Sequence, residues 1–234
     1  MPIGCSRMGQ LVTGTVLGML LGWGGLAGVA DAALITFNFE GNLNVVTSTN
    51  PDDFAGSGFR VGDTFSGSYT FNSLTPDRSP AAQFGTYNLT NASFHVAGKN
   101  YVMGGIFPGT ISITTNSGVN PGTNTPDSYA VFFTPDGPAV KDLHPSEFSF
   151  RLSGREHFPT DELPLTPPSL AGLSNNTMRF LMSPSSPQGR NGRLGGEITS
   201  LTLAPVPLPG AVLLFGTGLI SLGAFARFRQ TRQT

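Results

Sequence analysis

The chain has 234 residues, with 13 Lys and Arg against 14 Asp and Glu, a formal net charge of −1, one cysteine and one tryptophan. That balance lacks the basic stripe of a nucleic-acid binder, and a single cysteine excludes a disulfide framework. With 38% hydrophobic residues, 31 glycines and 19 prolines, the composition excludes disorder throughout and favours strands and tight turns over helices.

At the N-terminus, Arg7 supplies a positive n-region and Leu11 to Ala30 an apolar h-region. Ala30-Asp31-Ala32 then supplies a small-x-small cleavage site, the pattern of a secretory signal peptide over 1–32. Cleavage after Ala32 would leave Ala33 first and remove both Cys5 and Trp23. An exported chain without cysteine cannot use disulfides, so the passenger, 33–204, must be stable through its own core. It carries thirteen Asp and Glu against nine Lys and Arg, a mildly acidic surface that argues against nucleic acid as a partner.

In chain order, Ile35, Phe37 and Phe39 alternate with Thr36, Asn38 and Glu40 in a first strand spanning Leu34 to Val46, one face buried and one wet. Phe65, Tyr69 and Phe71 form the next stripe, interrupted by Gly67, which marks a bulge or a close backbone approach. Phe84 to Val96 and Tyr101 to Ile106 read as a hairpin turned at Gly98-Lys99-Asn100. Further alternating runs follow at Thr110 to Thr115, around Tyr129, Val131 and Phe133, around Phe148, Phe150 and Leu152, around Met178, Phe180 and Met182, and at Ile198 to Leu203. Pro135-Asp136-Gly137 reads as a turn, and Glu156 to Asn176, with Pro159, Pro164, Pro167 and Pro168, as a long surface excursion. About eight short strands without an amphipathic helix predict an all-β passenger, a single antiparallel β-sandwich, jelly-roll-like in general shape.

Residues that could carry chemistry are sparse. His95, His144 and His157 share no zinc-like spacing, and His95, between Phe94 and Val96, falls on a solvent face. No G-x-S-x-G presents a nucleophilic serine. Glu156, Asp161 and Glu162 sit in the proline-rich excursion, where solvated loop charges are the plainer reading than a glycosidase pair. Asn116, Asn120, Asn124 and Asp127 are oxygen donors along one loop and make calcium the one cofactor left open, though with a single carboxylate. Tyr87 and Tyr101 are the aromatics to examine as a sugar platform. The passenger reads as non-enzymatic.

The C-terminal end is the most informative stretch. Val206-Pro207-Leu208-Pro209 precedes an uncharged apolar run from Ala211 to Ala226, and Arg227, Arg229 and Arg232 follow. The two prolines break any preceding element. The run is long enough for a helix to cross a bilayer, at the short end of the range, and the arginines favour the cytoplasmic side. This tripartite tail, 205–234, resembles the PEP-CTERM sorting signal of proteins exported by Gram-negative bacteria. Leu208 stands where that family usually has Glu, as in its VPLP-type variant. The resemblance implies an exosortase substrate, held in the inner membrane by its tail helix before processing and afterwards in the cell surface or extracellular matrix, in association with exopolysaccharide. The implied partners are signal peptidase, an exosortase-type processing enzyme and the membrane. The alternative is a secreted carbohydrate-binding module or glycan-active enzyme on the same fold.

Overall fold

The computed structural model describes residues 32–104, 108–115, 126–155, 157–184 and 191–205, all within one compact unit, Ala32–Thr234. Among these residues eleven strands form: β1 (Leu34–Ser48), β2 (Thr64–Asn72), β3 (Phe84–Asn88), β4 (Asn91–Val96), β5 (Lys99–Met103), β6 (Thr110–Thr114), β7 (Asp127–Phe133), β8 (Pro135–Asp136), β9 (Leu143–Gly154), β10 (Asn175–Pro184) and β11 (Gly192–Leu203). A 3-10 turn, Pro51–Phe54, is capped by the Asn50 side chain. No α-helix occurs among the described residues, and none of their helical segments is long and apolar enough to cross a membrane. The expected signal-peptide and tail helices lie outside the described residues.

All eleven strands belong to one antiparallel sheet in the order β3-β6-β7-β9-β10-β11-β1-β2-β4-β5-β8. The alternation written into each strand gives that sheet one apolar face, and the sheet curls so that the face closes on itself. Phe94 of β4 lies 4.8 Å from Phe148 of β9 and 5.1 Å from Phe180 of β10, ring centre to ring centre, and Tyr101 of β5 lies 4.7 Å from Phe180. The two halves of one continuous sheet thus supply both walls of the core.

Glycines let the aromatic rings settle. A Cβ on Gly67 would stand 2.2 Å from Cζ of Phe39 and 2.3 Å from the Ser93 carbonyl oxygen, and a Cβ on Gly41 would stand 2.3 Å from Cζ of Phe65. Gly67 is therefore a close approach and not a bulge, its pairing with both neighbours being regular. Register shifts lie instead on β1, at Glu40/Gly41 and Leu43/Val45 against β11, and on β10, at Leu181/Met182 against β9.

Three expectations are corrected. The segment read as one strand from Phe84 to Val96 is two: β3 pairs with β6 in one half of the sheet, and β4 with β2 and β5 in the other. The chain changes walls at Leu89 and Thr90, whose N–H groups donate to Gly109 and Thr70. The hairpin that does form, β4–β5, turns one residue earlier than expected, at Ala97 and Gly98, both with positive φ, as a two-residue turn of this kind requires. Pro135-Asp136, read as a turn, is an edge strand on β5, where proline is tolerated because it needs no donor.

The proline-rich excursion does more than cover a surface. Phe158 is buried and stacks on Tyr129 at 5.9 Å, while Leu163, Leu170 and Leu173 pack against the core. Gly85 makes room for it, since a Cβ there would meet the Asp161 carbonyl oxygen at 2.1 Å. The excursion completes the core beside β3, β6 and β7.

Candidate functional site

The outward rows of β1, β2 and β4 bring polar side chains together on a concave surface. In register, Ser200 of β11 stands opposite Glu40, Glu40 opposite Ser66, Ser66 opposite His95, and His95 opposite Asn100. The register shift at Glu40/Gly41 leaves Thr199 as an extra residue of β11, and its hydroxyl donates to the Glu40 carbonyl at 3.4 Å. A bulge bends the strand that carries it. With the 58–63 loop and the Ala97–Gly98 turn as rims, the bend shapes a groove of about 660 Å³ lined by Glu40, Asn42, Asp63, Ser66, His95 and Thr199 among others.

Some of these groups are already committed. Oδ2 of Asp63 accepts the Arg60 N–H at 2.8 Å, closing the loop on itself. Lys99, the nearest lysine in sequence, donates to the Ser57 carbonyl at 2.6 Å and lies 5.2 Å over the Phe59 ring. Glu40 and His95 are exposed, each in reach of a ligand. Their Cα atoms stand two strand spacings apart, about 10 Å, with Ser66 between them. A Ser-His-acid triad needs the imidazole in the middle, taking the hydroxyl proton on one side and oriented by the carboxylate on the other. Here the serine is in the middle. The arrangement suits contact with a polyhydroxylated or cationic group more than proton relay.

The other sequence-derived candidates disperse. His144 is exposed at the start of β9, and Nε2 of His157 pairs with the Ser169 carbonyl at 2.8 Å, a structural contact within the excursion. Asp161 contributes its carbonyl to the Tyr87 hydroxyl at 2.8 Å; Glu162 is exposed and Glu156 lies outside the described residues. Of the calcium candidates, Asp127 is fully buried, its Oδ2 accepting the Phe158 N–H at 3.3 Å; Asn116, Asn120 and Asn124 lie outside the described residues. Among the described residues, no group of three or more His, Cys, Asp or Glu is placed to hold a metal ion. Tyr87 and Tyr101 are buried, at 6% and 0% exposure, so neither offers a ring to a sugar. Burial, with Asp77 and Asp161 nearby, raises the Tyr87 hydroxyl pKa. Ala32 is exposed at the start of the described residues, while Ala30, the Val206-Pro207-Leu208-Pro209 motif and Arg227, Arg229 and Arg232 lie outside them.

Glu40 was legible as a wet-face residue but not as a groove residue, because its approach to His95 runs through β2, and no local pattern reports which strands become neighbours. Comparison of the chain with known protein families, with curated proteins and with solved structures finds no match.

Proposed function

We propose that this chain is an exported, tail-sorted protein of the cell surface or extracellular matrix, associated with exopolysaccharide. In this reading a non-catalytic passenger, sandwich-like and jelly-roll-like in general shape, lies between a signal-peptide helix at 1–32 and a transmembrane sorting tail at 205–234. The observation that carries it is where the fold begins and ends. β1 starts at Leu34 and β11 ends at Leu203, side by side in the sheet, with Phe37 opposite Leu203 and the Ala204 N–H donating to the Thr36 carbonyl at 2.8 Å. At the other boundary the Ala33 N–H donates to the Ser73 hydroxyl at 3.1 Å. The sheet thus begins and ends close to both sequence-derived boundaries, with its first and last strands paired. A domain hung from a membrane by either end would present the same surfaces outward. Intact-mass measurement on protein from the native host tests the reading: a mature species beginning at Ala33 and lacking Leu213 to Arg229 is expected, and one that retains Leu213 to Arg229 reduces the chain to a simple anchored surface protein.

The groove with Glu40 and Asp63 favours a second reading, a carbohydrate-binding module or glycan-active enzyme. The burial of Tyr87 and Tyr101 weighs against it, and a glycan-array screen separates the two.

A further inference from the structure

We propose that the outward face of β3-β6-β7-β9-β10-β11 is a docking track for a linear acidic polysaccharide. The sheet register brings its residues together. One outward row runs Asn88, Thr110, Phe132, Ser149, Arg179 across β3, β6, β7, β9 and β10. Arg151, opposite Thr177, and Arg193, opposite Leu181, flank Arg179 one outward step to either side on β9 and β11. At the far end Arg78 donates to the Asn88 side chain at 3.0 Å. The passenger as a whole is acidic, yet Arg151, Arg179 and Arg193 stand on this face with Arg78 at its edge, against the outward Glu147 and Glu197 and, beside Arg78, Asp77; Asp127 of β7 is buried on the inner side. Arg179 and Arg193 are exposed and make no hydrogen bond or ion pair among the described residues; Arg151 spends one nitrogen on the Ser128 hydroxyl at 3.1 Å.

Spacing selects the ligand class. Diagonal neighbours on adjacent strands are about 7–8 Å apart, so the three strand arginines are set out singly, each free to take its own carboxylate in a forked, charge-assisted contact. They suit an anion that repeats along a chain. The row from β3 to β10 crosses four strand spacings, about 19 Å, the footprint of a short stretch of polymer laid across the strands. Beside the arginines stand the hydroxyl of Thr177 and, toward β3 and β7, that of Thr110 and two rings, Phe84 and Phe132, 44% and 40% exposed, which offer flat apolar faces to a sugar's C–H groups. A lipid surface would call for protruding apolar side chains beside the cations, and a nucleic acid for a basic domain with several stacking rings; on this face the two exposed rings, Phe84 opposite Thr114 and Phe132 opposite Thr110, stand apart along β6 and outside the arginine-bearing strands β9, β10 and β11, on an acidic domain.

The choice of polymer deepens the exopolysaccharide part of the proposed function and rests on it; the track itself rests on the sheet register. The test uses the full chain in detergent, titrated by calorimetry with polygalacturonate, with neutral dextran, with anionic phospholipid vesicles and with a single-stranded oligonucleotide. Binding to polygalacturonate that weakens with added salt and is absent with dextran is expected, and the Arg179→Gln/Arg193→Gln variant should bind about tenfold more weakly, while Arg60→Gln, in the 58–63 loop, binds as the parent does. Should the double variant misfold, Arg193→Glu alone carries the same comparison. Unchanged binding in the track variants, or preference for vesicles or the oligonucleotide, overturns the inference. Processing of the tail is read separately by intact mass: intact sorting with no polymer binding defeats this inference alone, and polymer binding with an unprocessed tail defeats the sorting reading alone.

Discussion

The hydroxyls of Tyr69 on β2 and Tyr129 on β7 meet at 2.9 Å inside the core, both side chains fully buried, and so join the two walls of the curled sheet by one polar contact. Around them lie rings: Phe150 is 5.8 Å from Tyr69 and 6.4 Å from Tyr129. Each hydroxyl is the other's partner, so replacing one residue with Phe strands the other in an apolar setting. Tyr69→Phe or Tyr129→Phe should each cost about 1–3 kcal/mol, and the double variant little more than either single. Urea unfolding of the four proteins measures the coupling; single costs that simply add would show that the bond contributes nothing.

Tyr101 lies on the same inner face with the opposite problem, a buried hydroxyl with no hydrogen-bond partner among the described residues. Tyr101→Phe removes that unmet group at nearly constant volume and should stabilise the protein by about 1 kcal/mol at neutral pH. A destabilised Tyr101→Phe variant would mean that the hydroxyl has a partner in solution.

Alkaline pH should unfold the domain through these same groups. Burial pushes the Tyr101 hydroxyl up to about 12 and raises Tyr129; for Tyr69, burial and then the neighbouring Tyr129 raise it well above the usual value. A raised folded pKa means that the unfolded chain loses its proton first, near pH 10. The stabilisation is therefore complete below pH 10 and declines as pH rises toward the folded value, by about 1.4 kcal/mol per pH unit for each such tyrosine. Stability measured from pH 8 to 12 should be level below 10 and steep above it, and Tyr101→Phe should lessen the slope by one proton.

The in-and-out alternation of the strands was legible residue by residue, and with it most of the core, because period two is a local signal. Neighbour relations were not. Within Phe84 to Val96 the apolar phase slips from Tyr87 and Leu89 to Ala92, Phe94 and Val96, so Thr90-Asn91 marks a break in the alternation, but a phase slip alone does not tell a bulge within one strand from a crossing between the two walls. Phe158 sits among prolines and gives no periodic signal, yet the inner face beside β3 and β6 needs it as cover. The groove and the arginine track are both products of sheet order: Glu40 meets His95 through Ser66, and Arg151, Arg179 and Arg193 form a diagonal only because β9, β10 and β11 are adjacent.

Gly67 shows how a local signal can be right in kind and open in cause. The structure assigns it to close approach, so Gly67→Ala should cost about 1–3 kcal/mol or more. Trimming Phe39 should not rescue the variant, since the second obstacle, the Ser93 carbonyl oxygen at 2.3 Å, is backbone. Full rescue by Phe39→Ala would show that only the ring stood in the way.

The tail prediction turns on how close the sorting motif lies to the fold. The Ala204 N–H is still tied to Thr36, and only Pro205 and Val206 separate that bond from Pro207, a reach of about 10 Å for three extended residues. Pro-x-Pro disfavours helix and favours an extended backbone, the form a protease cleft can take, because a helix holds its peptide bonds in its own hydrogen-bond ladder. In the proposed sorting reading two features would act separately: the apolar run and Arg227, Arg229 and Arg232 would stop transfer, while Pro207 and Pro209 would present the cleavable segment. Pro207→Ala/Pro209→Ala should leave export and membrane insertion unchanged and the tail attached, as intact mass would register. A Gly-Ser spacer inserted between Pro205 and Val206 moves the motif away from the sheet without altering it, so tail removal should be as fast as in the parent or faster. Loss of processing in the spacer variant, with the prolines intact, would instead place part of the recognition on the folded domain beside Thr36 and Ala204.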